Sequence, residues 1–460
     1  MVLTTYPRIR IPTLNYLSGS QCGCKRSFNS ESALAQHRAD KQKANIGAAC
    51  RTISVPKSTS SKTATTAKSK EDRWMWNGAR THEAFHVLST TALHPCTAVV
   101  SSKTASELIC SYSWQNSEQP CIKIPGFAPI WQPIPLPATL PADKGTYFID
   151  QNASRVPKYP FEPVFRAAEV MNPTVNFADV DIVINRNSLR KLLDFCAGLV
   201  KRSFRVNLSM IGNTLFIERC ERNTHTFIGD AQVPSWGHNF EKSFTKLPKE
   251  LEDSSQYHRI IRYPLGELNC VVRCEVDACY QGEQVASDGT HISLAIDGGK
   301  LSTGSNPTRK KVARRQNTND EREFRLMPQS TVAEVKTISP NQSPRCLPQL
   351  WFGRTPWLIM GRHTGGTFDS IDTIKAKAKF KAWEMKNQKK LRKLVSLLSQ
   401  LRESVQNSGF KRCIAIYEKS KTPQELKIFA SVCKYGALPD DLAAKFWHGK
   451  SNESAIKAAG

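Results

Sequence analysis

The sequence predicts an α+β fold, a twisted mixed β-sheet core with flanking helices. Three observations lead there. Short apolar runs bounded by turn residues read as strands: VDIVI at 180–184, Asn213 to Glu218, Asn269 to Tyr280, TVAEVKTI at 331–338 and LWFGRTPWLIMG at 350–361. Helical spacing appears in LRKLLDFCAGLV at 189–200, and again where Leu391, Leu394, Val395, Leu398, Leu401 and Val405 recur at three- and four-residue steps. With hydrophobic residues at 40% of 460, the chain can bury one sizeable core.

The elements follow in order. Residues 1–73 form a basic arm: positions 1–70 carry twelve Lys or Arg against Glu31 and Asp40, and PKSTSSKTATTAKSK at 56–70 has nothing to bury, so the arm is expected to be disordered. Within about 20–40, Cys22, Cys24, Phe28, Leu34 and His37 have the spacing of the second half of a C2H2 zinc finger. The two cysteines are one residue too close and no second histidine follows, so Zn²⁺ would lack its fourth ligand; the expectation is a degenerate finger. Residues 74–160 are rich in Trp and Pro and read as an extended segment wrapping the core.

The core itself spans 161–405, interrupted by a loop-like, disordered insertion at 281–330. That insertion holds RKKVARR at 309–315, which suits nuclear localisation or polyanion contact. From 371 the chain reads as helical. Residues 406–460 form a C-terminal helical extension, with a helix over 423–434.

Composition excludes several classes. No run of apolar residues is long enough to span a bilayer, and the charged N-terminus is no signal peptide, so an intracellular protein without membrane contact is expected. The 14 cysteines are scattered rather than densely spaced, as free thiols are. A net charge of +25 favours polyanionic partners.

The chemistry concentrates in two short segments. In VVRCEVDAC, Glu275 and Asp277 stand two apart and share one face of a strand; in TVAEVKTI, Glu334 and Lys336 do the same. Carboxylates crowded on one face repel, and a divalent cation relieves the repulsion. An acidic residue followed downstream by Glu-x-Lys is the core of the PD-(D/E)xK nuclease arrangement. There carboxylates hold the ion and the lysine orients the nucleophile or steadies the developing charge.

The order of motifs extends the pattern. Arg186 lies in VDIVINRNSLRKLL, Trp236-Gly237-His238-Asn239-Phe240-Glu241 gives G-x-x-x-E, and Glu275-x-Asp277 and Glu334-x-Lys336 follow. This series resembles the decapping exonuclease (DXO) family, over about residues 160–405. The resemblance implies a DXO-like, PD-(D/E)xK-like fold in which Glu241, Asp277, Glu334 and the carbonyl of Val335 bind Mg²⁺ or Mn²⁺. It implies that Glu275 and Lys336 flank the attacking water and that Arg186 contacts the RNA 5′ end. It further implies a nuclear enzyme, with the cytoplasm as a second location, acting as a decapping enzyme, pyrophosphohydrolase or 5′→3′ exonuclease on RNA with a modified or incomplete 5′ end. A 5′→3′ exoribonuclease is the partner it implies. The chain departs from the family at Asn187, where the family has glycine, at His238, where it has an aromatic, and in the 350–361 stretch, which lacks the family's glutamine.

Two other readings meet the same residues. His82-Glu83-Ala84-Phe85-His86 is an HExxH string, which binds zinc only on a helix; the surrounding Trp, Gly and Thr favour a loop. The net charge and the finger remnant also fit a nucleic-acid-binding scaffold without catalysis.

Overall fold

The computed structural model describes residues 7–12, 20–21, 27–28, 72–229, 233–282, 326–340, 342–419 and 423–448. The chain divides into one unit of Met1–Ile11 with Trp74–Gly460 and a second of Pro12–Arg73. In the second, Ser20–Gln21 pairs antiparallel with Ser27–Phe28. Cys22, Cys24 and His37 lie outside the described residues, as do RKKVARR and most of the 281–330 insertion.

In the first unit an α+β core is built on two mixed sheets, of eleven and seven strands among the described residues. At the middle of the larger sheet Ile182–Asn185 runs parallel to both Thr214–Arg219 and Leu268–Glu275, while the outer strands pair antiparallel. Both faces of this centre are covered, which is why VDIVI reads as an unbroken apolar run. Ile182 and Ile184 pack on one side with Leu391, Leu394 and Leu398 of the helix Phe380–Asn407. Val183 and Phe216 point to the other side, against Phe165 and Trp447 of the helices Glu162–Met171 and Asp440–His448. Phe216 alone touches Phe161, Phe165 and Trp447. Burying such a ring contributes about 2–3 kcal/mol.

Several expectations are corrected. The 74–160 segment is no wrapping: Glu107–Gln115 and Cys121–Lys123 are strands of the larger sheet, His86–Ser89 is its edge, and Ile130–Trp131 joins the smaller one. The proline-rich stretch after 124 holds only short strands, Ile130–Trp131, Ala138–Thr139 and Gly145–Phe148. The 406–460 segment is no helical extension either. Arg412–Tyr417 and Glu425–Ala430 are antiparallel strands of the larger sheet, and the helix expected over 423–434 is the second of them. Alternation in ELKIFA, with Leu426, Ile428 and Ala430 buried, and pairing partners on both sides override the helical spacing. Residues 350–361 are not one strand but a helix, Leu347–Phe352, and a strand, Trp357–Thr364, separated at Gly353–Pro356. A further strand, Thr367–Lys375, precedes the long helix where continuous helix is expected from 371. No helix among the described residues is long and apolar enough to cross a membrane.

Candidate active site at the junction of two sheets

The two sheets meet in one stretch of chain. Leu268–Glu275 ends in the larger sheet, Val276 and Asp277 cross over, and Ala278–Cys279 enters the smaller sheet. Glu275 and Asp277 therefore flank a break rather than sharing the face of one continuous strand. Val276, buried against Tyr257 and Val332, anchors the crossing. The antiparallel register Ala278↔Ala333 then sets Asp277 beside Glu334 on Val332–Ile338. On that strand Glu334 and Lys336 do share a face.

A cation already holds this corner together. The Lys336 ammonium lies 2.5 Å from Glu334 Oε1 and 3.3 Å from Asp277 Oδ2, and donates to the Val335 carbonyl at 2.9 Å. Asp277 Oδ2 also accepts from the Val335 backbone N–H at 2.9 Å. Glu334 is 1% exposed, and its Oε2 accepts from Arg186 Nη1 at 3.1 Å while Gln349 donates to its Oε1. Gln349 in turn accepts from Arg190 Nη1 at 2.7 Å. Arg186 opens the helix Arg186–Cys196, and Arg190 sits one turn on, so both guanidinium groups leave the same helical face.

Glu241 comes from the short helix Gly237–Phe244. That helix is fixed on one side by Phe240 and Phe244 against Val335, Ile359 and Phe368. At its start the buried Asp143 carboxylate accepts from the backbone N–H of Asn239 at 2.8 Å, from that of His238 at 3.3 Å and from Ser235 Oγ at 2.9 Å. Asp143 thus caps the helix from a distant segment.

The carboxyls do not titrate alike. Burial, then Asp277, pushes Glu241 well above the usual range, with Lys336 opposing. Burial and Asp277 likewise raise Glu275, to about 7. Asp277 is raised by burial and by Glu334. Glu334 goes the other way: burial opposes its charge, but Lys336 and Arg186 outweigh it and hold it low. Burial also works against Lys336, yet Asp277, Glu334 and Glu241 keep it charged.

Beside these groups is a cavity of about 300 Å³ lined by Arg186, Arg190, Arg219, Arg273, His258 and Glu275, among others. The four guanidinium groups share this cavity with the carboxylates of Asp150 and Glu275, and Arg219 is ion-paired to Glu221 at 2.8 Å; guanidinium forks are the side-chain groups that match phosphate oxygens. His258 is kept neutral by burial and by Arg273 and Arg186 beside it, and its Nδ1 has no partner among the described residues. Arg190 was legible in the sequence from its helical spacing to Arg186. Arg219, Arg273 and His258 were not, because each stands alone in a strand and only sheet pairing brings them to the same place.

The oxygen-only donor set suits a hard divalent cation, and Lys336 stands in for one: its ammonium gathers the oxygens of Asp277, Glu334 and Val335 that the family resemblance implies as metal ligands. With the lysine seated there, no group of three or more His, Cys, Asp or Glu among the described residues closes on a common point. The HExxH residues gather nothing: His82 is in a bend, and His86, on the edge strand, bonds Ser404 at 2.5 Å.

A family model described as "Domain of unknown function (DUF8563)" matches residues 82–447. The chain belongs to that family. The match takes in every described candidate residue and both sheets' central strands. No curated protein matches the sequence. Among solved structures, the chain is similar to Schizosaccharomyces pombe Rai1 in complex with 3′-FADP, at 12% identity over 75% of this chain and 98% of that one, with a TM-score of 0.46. It is similar to Candida albicans Rai1 in complex with pU5-Mn²⁺, at 13% identity over 79% and 99%, TM-score 0.46. It is also similar to Kluyveromyces lactis Dxo1 in complex with manganese, at 10% identity over 76% and 98%, TM-score 0.45. These neighbours are proteins of the decapping exonuclease family that the four motifs resemble.

Proposed function

We propose that the protein hydrolyses phosphoanhydride or phosphodiester bonds at the 5′ end of RNA with the help of Mg²⁺ or Mn²⁺. One observation carries the reading: carboxylates clasped around a cation, Lys336, stand next to a small cavity ringed by four arginines. Acidic oxygens for a divalent ion and guanidinium forks for phosphate are the two halves of a phosphate-cleaving site.

Glu241, Asp277, Glu334 and the Val335 carbonyl would hold the ion, which when bound supplies charge to the scissile phosphate and acidity to water. Arg186, kept charged by Glu334, and Arg190 bind phosphate oxygens. Glu275, with a pKa of about 7, is part-ionised at neutral pH and lines the cavity, so it can take a proton from the attacking water. Lys336 steadies the negative charge that develops at phosphorus. The neutral His258 and the guanidinium of Arg273 also line the cavity.

A lysine that never leaves the carboxylates would instead make the protein a nucleic-acid-binding scaffold without turnover. Incubation with 5′-triphosphate and capped RNAs, with and without Mn²⁺, separates the two. Cation-dependent product from the wild type, lost in Glu334→Ala and Asp277→Ala, supports the hydrolase. Tight RNA binding with no product on any 5′ end refutes it.

A further inference from the structure

We propose that the lysine-rich start of the long helix, with the strand end and 3-10 turn before it, is a track for the phosphate backbone of RNA beyond its 5′ end. Between Lys375 and Lys393 nine residues are Lys or Arg and the sole acid is Glu384. That acid is turned inward: it is 7% exposed and accepts from Trp351 Nε1 and from the backbone and hydroxyl of Ser102. Apart from Asp194, an exposed carboxylate near Lys390, the outer surface is therefore positive. Lys375, Lys377, Lys379, Lys381, Lys386 and Lys389 are exposed, and none of their ammonium groups has a hydrogen bond or ion pair among the described residues.

The geometry points to a strand of nucleic acid. Lys386 has Lys389 and Lys390 one turn on, so these ammonium groups lie about 6 Å apart along one face of the helix. That separation is comparable to the phosphate step of an extended single strand. A lipid surface is disfavoured, because a helix lying in a membrane buries its apolar face there. Here Leu391, Leu394, Val395 and Leu398 are already fully buried in the core. The face also continues from the cavity. Lys390 acts on Asp194, one turn beyond Arg190 on the same helix, and the Lys377 N–H is bonded to the Pro356 carbonyl, just after the helix that supplies Gln349.

The choice of RNA rests on the function proposed above; the positive, unpaired face does not. A strand leaving the cavity meets Arg190 and then this row, so long RNAs should gain affinity that a 5-mer cannot. Each phosphate neutralised on a single strand adds about 0.7 to the slope of log K against log salt.

The test compares the full-length wild type with the quadruple variant Lys377→Gln, Lys381→Gln, Lys386→Gln and Lys389→Gln. Fluorescence anisotropy with a 3′-labelled 20-mer and a 5-mer is followed across a salt series. The expected result is a slope shallower by about 3 for the 20-mer in the variant, with the 5-mer unchanged. Equal slopes for wild type and variant on the 20-mer overturn the proposal. So does displacement of the 20-mer by polyglutamate at equal charge, which would make an acidic protein the fitting partner, or binding to phosphatidylserine vesicles in preference to RNA. Turnover of a 5′-triphosphate dinucleotide, too short to reach the track, is measured in parallel. Its absence in the wild type refutes the hydrolase while leaving the binding comparison intact.

Discussion

The Arg186–Glu334 pair can be tested without knowing the substrate. Both side chains are buried, at 10% and 1% exposure, with 3.1 Å between Nη1 and Oε2. Removing one member of such a pair leaves a buried charge and costs about 3–5 kcal/mol. The structure places the two single variants differently in that range. In Arg186→Met, Glu334 keeps Lys336 and Gln349, so the loss should be near 3 kcal/mol. In Glu334→Gln, Arg186 loses its only ion pair among the described residues and Lys336 loses its closest anion, so the loss should be nearer 5 kcal/mol. The double variant removes both charges together. Its cost should fall short of the sum by about 1–3 kcal/mol, the usual coupling of residues in one buried network. Urea unfolding of all four proteins, in buffer treated to remove divalent ions, measures the cycle. Additivity within about 0.5 kcal/mol would show that the two side chains do not act on each other, and the electrostatic account of the site would fall with them.

Two further outcomes follow from the same geometry. Glu275 has its folded pKa raised, by burial and by Asp277, to about 7. Its contribution to stability is therefore fully present below the unfolded value near 4.3 and lost as pH rises through about 7. Glu275→Gln should flatten the fall in metal-free stability between pH 5 and pH 8, as read by denaturation at the two values; an unchanged slope would show that the carboxyl is ionised throughout. Asp143→Ala should cost about 1–2 kcal/mol by removing the cap of the Gly237–Phe244 helix. Because that helix carries Glu241, turnover in Mn²⁺ should drop at saturating RNA while RNA binding holds.

Much of this molecule was open to reading in the sequence, for reasons that can be named. The central strands carry apolar runs because both of their faces are buried, so Ile182–Asn185 and Thr214–Arg219 were found within a residue or two. Glu334 and Lys336 were paired correctly because strand alternation is local. Asp277 is different: its neighbour Glu334 comes from beyond the 281–330 insertion, and nothing local shows that the strand breaks at Val276 to change sheets. The helix expected over 423–434 failed for the opposite reason. Leu426, Phe429 and Ala430 satisfy a helical spacing while Leu426, Ile428 and Ala430 satisfy a strand's, and only pairing with Arg412–Tyr417 on one side and His86–Ser89 on the other decides between them.

The break at Val276 also explains why acids collect where they do. A carboxylate inside a continuous, doubly covered strand would face packed side chains, as Val183 and Phe216 do. Where the chain leaves one sheet and enters another, the covering layers part, and Glu275 and Asp277 emerge into the gap beside the Arg186–Cys196 helix. Basic side chains then have room to reach them: Arg186 from the helix and Lys336 from the adjoining strand. The charge excess of the chain does not conflict with this acidic corner, because the two occupy different places. Lysines without partners lie on the outer face of the Phe380–Asn407 helix, where they act on a polyanion at long range. The acids lie at the sheet junction, where Lys336 and Arg186 hold the pKa of Glu334 low while burial and Asp277 raise those of Glu241 and Glu275. A divalent ion entering that corner therefore competes with the Lys336 ammonium for the oxygens of Asp277, Glu334 and Val335. That makes Lys336 the residue that governs how tightly the ion is held: Lys336→Met should strengthen Mn²⁺ binding, measured by calorimetry, even as it lowers turnover, and weaker binding in that variant would show that the lysine organises the ligands rather than competing with the ion.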